Sequence, residues 1–87
     1  MTEVPIRVLI ADDHAQTRLG MRECLNGFDD IDVVGEAATG DQAVDDAVRL
    51  HPDVIIMDLA MQGLDGLEAI RRLTPDHPAI AIVVLSM

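Results

Sequence analysis

The 87 residues predict an open α/β sheet, parallel and doubly wound, with helices on both faces. Three observations carry this reading. Short runs are apolar at consecutive positions, as strands buried on both faces require. Segments with helical apolar spacing separate them. Gly, Pro and capping signatures fall at the boundaries. The resulting order is β-α-β-α-β-α-β, and parallel crossovers of this kind are right-handed.

The first run is Arg7 to Ala11, followed at once by Asp12-Asp13. From about His14 to Asn26 the spacing turns helical: Thr17, Met21, Cys24, Leu25 and Phe28 share one face, and Gly27 supplies a stop. Ile31 to Ala37 reads as the second strand. Thr39-Gly-Asp-Gln42 is a capping-box signature, with the hydroxyl accepting from the Gln42 amide while the Gln42 side chain reaches back. The helix it opens carries Ala43, Ala47, Val48 and Leu50. It ends at His51-Pro52, because a residue before proline avoids the α region. Val54 to Met57 is the third buried run and ends in Asp58. A loop with Gly63 and Gly66 leads to a short helix, about Leu67 to Leu73, closed by Thr74-Pro75. Ala79 to Leu85 is the fourth buried run and ends in Ser86.

Composition bounds what such a sheet can do. A chain of 9.4 kDa builds one modest core, and with Phe28 as the sole aromatic that core must be aliphatic. Sixteen acids against six bases, all of them Arg, give a formal charge of −10. Such a surface repels phosphate backbones, which argues against nucleic acid as a ligand of this segment; divalent cations or basic protein surfaces suit it better. Asp29, Asp30 and Asp32, and the pair Asp45-Asp46, read as solvated faces. The lone Cys24 forms no internal disulfide, lies on the apolar helix face and reads as inert; an intracellular setting is expected. The N-terminus has no basic segment leading into an apolar one, so no signal peptide is expected. The longest apolar run is far short of the roughly 20 residues of a membrane span.

In open α/β sheets, ligands bind beyond the carboxyl ends of the strands. Three of the four strands here end in a chemically capable residue: Asp12-Asp13, Asp58 and Ser86. A single Asp after a strand is usually a turn residue or helix cap. Acids after two strands and a hydroxyl after a third point instead to one cleft. Carboxylates that close repel one another, so the cleft must hold a proton or a cation. Oxygen-only ligands suit Mg²⁺, which keeps several waters. His14 beside the acids is a poor Mg²⁺ ligand and reads as an exposed or capping residue. Met21, Met57 and Met61 read as packing.

Val8 to His14, Val33 to Ala37, Asp53 to Asp58, Gly63 to Gly66 and Val83 to Ser86, in this order and spacing, strongly resemble a response-regulator receiver domain. The Asp-Asp-His and Val-Val-Gly-Glu-Ala segments are similar to the NarL/FixJ-type subfamily. The resemblance implies a flavodoxin-like receiver of strand order 2-1-3-4, with the family's fifth strand absent. It implies that Asp58 accepts a phosphoryl group from a sensor histidine kinase, without the domain being an enzyme. It implies Mg²⁺ on Asp13 directly, on Asp12 largely through water, on Asp58 and on the Ala60 carbonyl. Ser86 would bond a phosphoryl oxygen and act as the switch hydroxyl, with the amides of Ala60 and Met87 as further donors. A cytoplasmic setting, homo-oligomers and a DNA-binding transcriptional output outside this segment are also implied.

The sequence departs from the family pattern in several places. The family lysine at the end of the fifth strand has no counterpart, and the sequence stops one residue after Ser86. Residues 1–87 are therefore expected to be an incomplete receiver, without the fourth helix, fifth strand and fifth helix, and a fragment of a longer regulator. Gln62 stands where the family commonly has Pro, Ala60 offers no side chain over the site, and Ser86 replaces the commoner Thr. A phosphorylation-independent interaction module is the alternative. A Mg²⁺-dependent hydrolase lacks support, because the position two residues after Asp58 is Ala60 rather than a general acid.

Overall fold

Val8, Leu9, Ile10 and Ala11 have no polar face to offer water, and all four are buried. Their strand, β1 (Ile6–Ala11), accordingly lies inside the sheet. The computed structural model describes residues 4–59, 61 and 66–85. After β1 come α1 (Ala15–Leu25), β2 (Ile31–Ala37), α2 (Gly40–Leu50), β3 (Val54–Asp58), α3 (Gly66–Leu73) and β4 (Ala81–Leu85), the order the sequence predicts. The strands form one parallel sheet in the order β2-β1-β3-β4.

Alternate residues feed two cores. Leu9 and Ala11 of β1, with Ile55 and Met57 of β3, pack under Ala43 and Ala47 of α2 and Ala69 and Leu73 of α3. The methyl side chains on these helices permit close approach, which is how an aliphatic core closes without aromatic volume. Val8, Ile10 and Val33 face the other way, against Met21 and Leu25 of α1. Met57 and Met61 are buried packing residues, as expected.

A bulge decides which residues of β2 reach which core. Val8 is opposite Val33, but Leu9 is opposite Gly35, so Val34 is one residue too many for its partner strand. Strand side chains alternate, and the extra residue reverses the alternation. Ile31 and Val33 face α1, yet Ala37 joins the opposite core. Glu36, which would otherwise face α2, meets α1 instead. There its carboxylate accepts from Arg18 Nε at 3.2 Å and from Arg22 Nε at 2.6 Å.

Two expected burials are not found. α1 buries none of its residues: Met21 and Leu25 are half-buried, Thr17 is exposed, Phe28 is 54% exposed beyond the helix, and Cys24, though on the apolar face with Met21 and Leu25, is exposed. α1 is the sole helix on its face among the described residues, so only its innermost ridge is covered. The fourth run is not buried either. β4 starts at Ala81, after a turn in which the Ile80 amide bonds the His77 carbonyl, and Ala81, Val83, Val84 and Leu85 are exposed. It borders β3 alone, and no helix makes more than a marginal contact with it.

The helix ends follow local chemistry. Thr39 Oγ1 accepts from the Gln42 amide at 3.1 Å, as the capping signature predicts. Gln42 Oε1 takes the amide of Ala38, one residue earlier than the usual partner. At the far end of α2, His51 adopts a left-handed conformation, φ 49° and ψ 59°, while its amide still bonds the Ala47 carbonyl. Arg7 Nη1 donates to the carbonyls of Leu50 and His51, tying this end of the helix to β1. A side chain at such a cap costs roughly 1 kcal/mol that glycine does not. His51→Gly is therefore expected to raise stability by about 0.5 kcal/mol, after loss of the tilted contact with the His77 ring 6.3 Å away. Denaturant unfolding checks this; an unchanged or lower midpoint would contradict it.

Candidate functional site

β1 and β3 are neighbours and parallel, so the residues at their carboxyl ends emerge side by side. Asp12 and Asp13 follow β1, and Asp58 closes β3. Together with His14 they each offer a ligand atom, and these atoms lie within 4.8 Å of one another, the one such cluster among the described residues. The cleft above them has a volume of about 300 Å³ and is lined by Asp12, His14, Thr17, Asp58 and Leu85. The acids named from the sequence thus meet in one place. Ala60, Gln62, Gly63, Ser86 and Met87 lie outside the described residues.

Each member is held by the backbone around it. Asp12 is 5% exposed. Its amide donates to the Ala37 carbonyl at 3.0 Å, and its Oδ1 accepts the His14 amide at 2.8 Å, an Asx turn that launches α1. Its own carbonyl accepts from Arg18 Nη1 at 2.7 Å. Arg18 therefore clamps the Asp12 backbone with one nitrogen and Glu36 with another. The sequence reading passed over this network. Its signal was available: Arg18 and Arg22 stand one turn apart, and Glu36 is one of two charges in the second strand, the one nearer its carboxyl end.

Gly66 is a second overlooked residue. A Cβ there would lie 2.5 Å from the Asp58 carbonyl oxygen and 2.7 Å from Leu59 Cα, both backbone atoms. Its amide donates to the Leu59 carbonyl at 3.1 Å. α3 thus starts in direct contact with the backbone of Asp58, an approach that only glycine permits.

The donor set fits Mg²⁺. Asp13 Oδ1 is sealed from solvent and receives no hydrogen bond. His14 Nδ1 stands 2.8 Å from it but outside hydrogen-bond geometry. A buried carboxylate oxygen without a donor costs several kcal/mol unless a cation satisfies it. Asp12, Asp13 and Asp58 offer carboxylate oxygens within 4.8 Å of one another, an oxygen ligand set of the kind Mg²⁺ takes. His14 occupies the N-cap of α1 without a side-chain capping bond, and its side chain is 72% exposed, in line with an exposed residue.

Comparison with known proteins gives the relations of this arrangement. The family model described as "Response regulator receiver domain" matches residues 8–87. The transcriptional regulatory protein LiaR of Bacillus subtilis is 46% identical over 81 residues, which is 93% of this chain and 38% of LiaR. The response regulator domain of Thermotoga maritima CheB superposes with a TM-score of 0.90 at 36% identity, over 94% of this chain and 60% of that one. The isolated receiver domain of RcsB from Salmonella enterica serovar Typhimurium, solved in the presence of phosphomimetic BeF3−, superposes with a TM-score of 0.88 at 32% identity, over 95% and 62%. Another RcsB structure is described as two dimers bound to two parallel DNAs. The chain spans about two-fifths of the length of the curated relatives it matches.

Proposed function

The chain belongs to the response-regulator receiver family, on its NarL/FixJ-type side, and from that premise we propose that it accepts a phosphoryl group on Asp58 and passes the change to an output outside residues 1–87. The observation that carries the proposal is the convergence of Asp12, Asp13 and Asp58 at the carboxyl ends of β1 and β3, beside a cleft that Asp12 and Asp58 line. The donor is the phosphohistidine of a sensor histidine kinase. An Asp58 carboxylate oxygen attacks phosphorus, the P–N bond breaks with its electrons leaving on the imidazole nitrogen, and an aspartyl phosphate results. Asp13, Asp58 and the Ala60 carbonyl would hold Mg²⁺, with Asp12 acting mainly through water. When bound, Mg²⁺ screens Asp58 from the incoming phosphoryl group and neutralises charge that develops in the transfer. Ser86 and the amides of Ala60 and Met87 receive the phosphoryl oxygens.

The protein's own residues do the positioning. The Asx turn at Asp12 and the Arg18 clamp fix the acid pair before any ligand arrives. Gly66 lets α3 brace the Asp58 backbone. The RcsB receiver studied with a phosphomimetic supports the chemistry, and the RcsB dimers on DNA support a homo-oligomeric, DNA-binding parent. No helix among the described residues is long and apolar enough to cross a membrane. We place the parent in the cytoplasm, where its kinase would deliver the phosphoryl group. Residues 1–87 form the receiver from β1 to β4.

The test uses the complete reading frame, incubated with Mg²⁺ and a small phosphodonor. Mass spectrometry should show a gain of one phosphoryl group, lost in Asp58→Asn while the fold is kept. A normal gain in that variant excludes Asp58, and no gain in the parent protein favours the phosphorylation-independent module. Asp13→Ala is expected to lower Mg²⁺ affinity by about tenfold or more. Unchanged affinity in a titration would put the metal elsewhere.

A further inference from the structure

Two histidines away from the acids each stand directly before a proline with an aspartate close by: His51-Pro52-Asp53 and Asp76-His77-Pro78. The first segment leads into β3 and the second into β4. These strands are parallel neighbours, with Val54 opposite Ala81, so the two segments meet at the amino ends of the strands, across the sheet from Asp12, Asp13 and Asp58. Both histidines line one cleft of about 290 Å³, together with Asp53 and Asp76. The ring centres are 6.3 Å apart and the planes are tilted by 53°.

The backbone fixes where both rings start. His51 is left-handed, φ 49°, a conformation that glycine would adopt without strain, and its amide bonds the Ala47 carbonyl. His77 donates its amide to the Leu73 carbonyl at 2.8 Å and accepts the Ile80 amide at 3.1 Å. Neither residue belongs to the core, so the rings can turn without loss of packing. One ion held at about 2.1 Å by a nitrogen from each of two imidazoles sets the ring centres about 5.3 Å apart at a tetrahedral angle and about 6.5 Å apart in line. The observed separation lies inside that range. Asp53, Asp76 and the carbonyl end of α2 favour positive charge here, against the one guanidinium of Arg7 on the Leu50 and His51 carbonyls.

We propose that His51 and His77 form a second cation site, in which two imidazole nitrogens and water hold a divalent transition-metal ion such as Ni²⁺ or Zn²⁺. The ion clips the end of α2 to the turn before β4. The site shares no residue with the acid cleft, so its failure would leave the phosphorylation reading untouched.

The probe is Ni²⁺, titrated by calorimetry into the complete protein above the ordinary range of imidazole titration, with Mg²⁺ in excess to fill the acid cleft. His14→Asn is present throughout, so that the third histidine of residues 1–87 takes no part. His51→Asn keeps a residue that tolerates the left-handed conformation, and His77→Gln replaces a ring outside the core. Each is expected to weaken Ni²⁺ binding by about tenfold or more, and the double variant by less than the product of the two losses, because either change alone breaks the chelate. Ni²⁺ should also raise the unfolding temperature of the parent protein and not of the variants. Unchanged affinity in either single variant, losses that multiply in the double, or no Ni²⁺ binding by the parent overturns the proposal. A loss that follows Asp13→Ala instead puts the ion among the acids and overturns it as well.

Discussion

Residues 1–87 produced alone are expected to self-associate rather than remain monomeric. The cause is the contrast between the two sheet edges. β2 carries Asp32, Glu36 and a bulge, features that discourage a second strand from adding. β4 has none of them: Ala81-Ile-Val-Val-Leu85 has no charge and no proline, and four of its five residues are exposed. An apolar groove lined by Met21, Cys24, Leu25, Ile56, Val83 and Leu85 continues from it. Strands of this composition with unpaired N–H and C=O groups recruit other chains. Each Å² of apolar surface left in water forfeits about 25 cal/mol, against a total stability of roughly 5–10 kcal/mol. Residues 1–87 alone should pair β4 with another copy, exchange segments or aggregate. Light scattering decides; a monomer that unfolds cooperatively at tens of micromolar would contradict the argument. In a longer chain, following residues that cover β4 would remove the effect.

Gly66→Ala is expected to be the most damaging single methyl group that can be added near the site. The new carbon would lie 2.5 Å from the Asp58 carbonyl oxygen and 2.7 Å from Leu59 Cα, and neither can swing aside as a side chain can. Overpacking against backbone costs about 1–3 kcal/mol, while alanine returns up to about 1 kcal/mol of helix propensity. A net loss of about 2 kcal/mol corresponds to a fall in unfolding temperature of roughly 8–16 °C for a domain of this size. Because the displaced atoms belong to Asp58 and its neighbour, Mg²⁺ affinity should fall together with stability. Thermal unfolding and metal titration check both; a variant as stable as the parent would show that α3 moves away freely.

How far the sequence could be read depends on where the information lies along the chain. The acids of the cleft were legible because each ends an apolar run, and parallel neighbours must bring such ends together. The Thr39 cap was legible because its partners are three residues apart. Burial of α1 and β4 was misread, since apolar spacing tells which face a segment would bury and not whether anything covers it. Leu85 is apolar at the end of a buried-looking run and is still 39% exposed. Gly66 looked like one loop glycine among others, because its constraint comes from Asp58 and Leu59, which contact it across the fold. The Arg18–Glu36 pairing depended on the bulge at Val34, whose one local sign is Gly35 inside the strand, a sign that the reading did not use.

That bulge gives β2 a residue to spare. Val34 is half-buried and has no partner of its own in β1. Deleting it would leave Val8 opposite Val33 and Leu9 opposite Gly35, so every later pair would keep its place and its face. Glu36 would still meet Arg18 and Arg22, and the Ala37 carbonyl would still hold the Asp12 amide. The second strand can thus absorb the loss of one codon at this point without passing it on to the acids at the end of the first, as a slack link takes up a shortening that a taut chain would transmit.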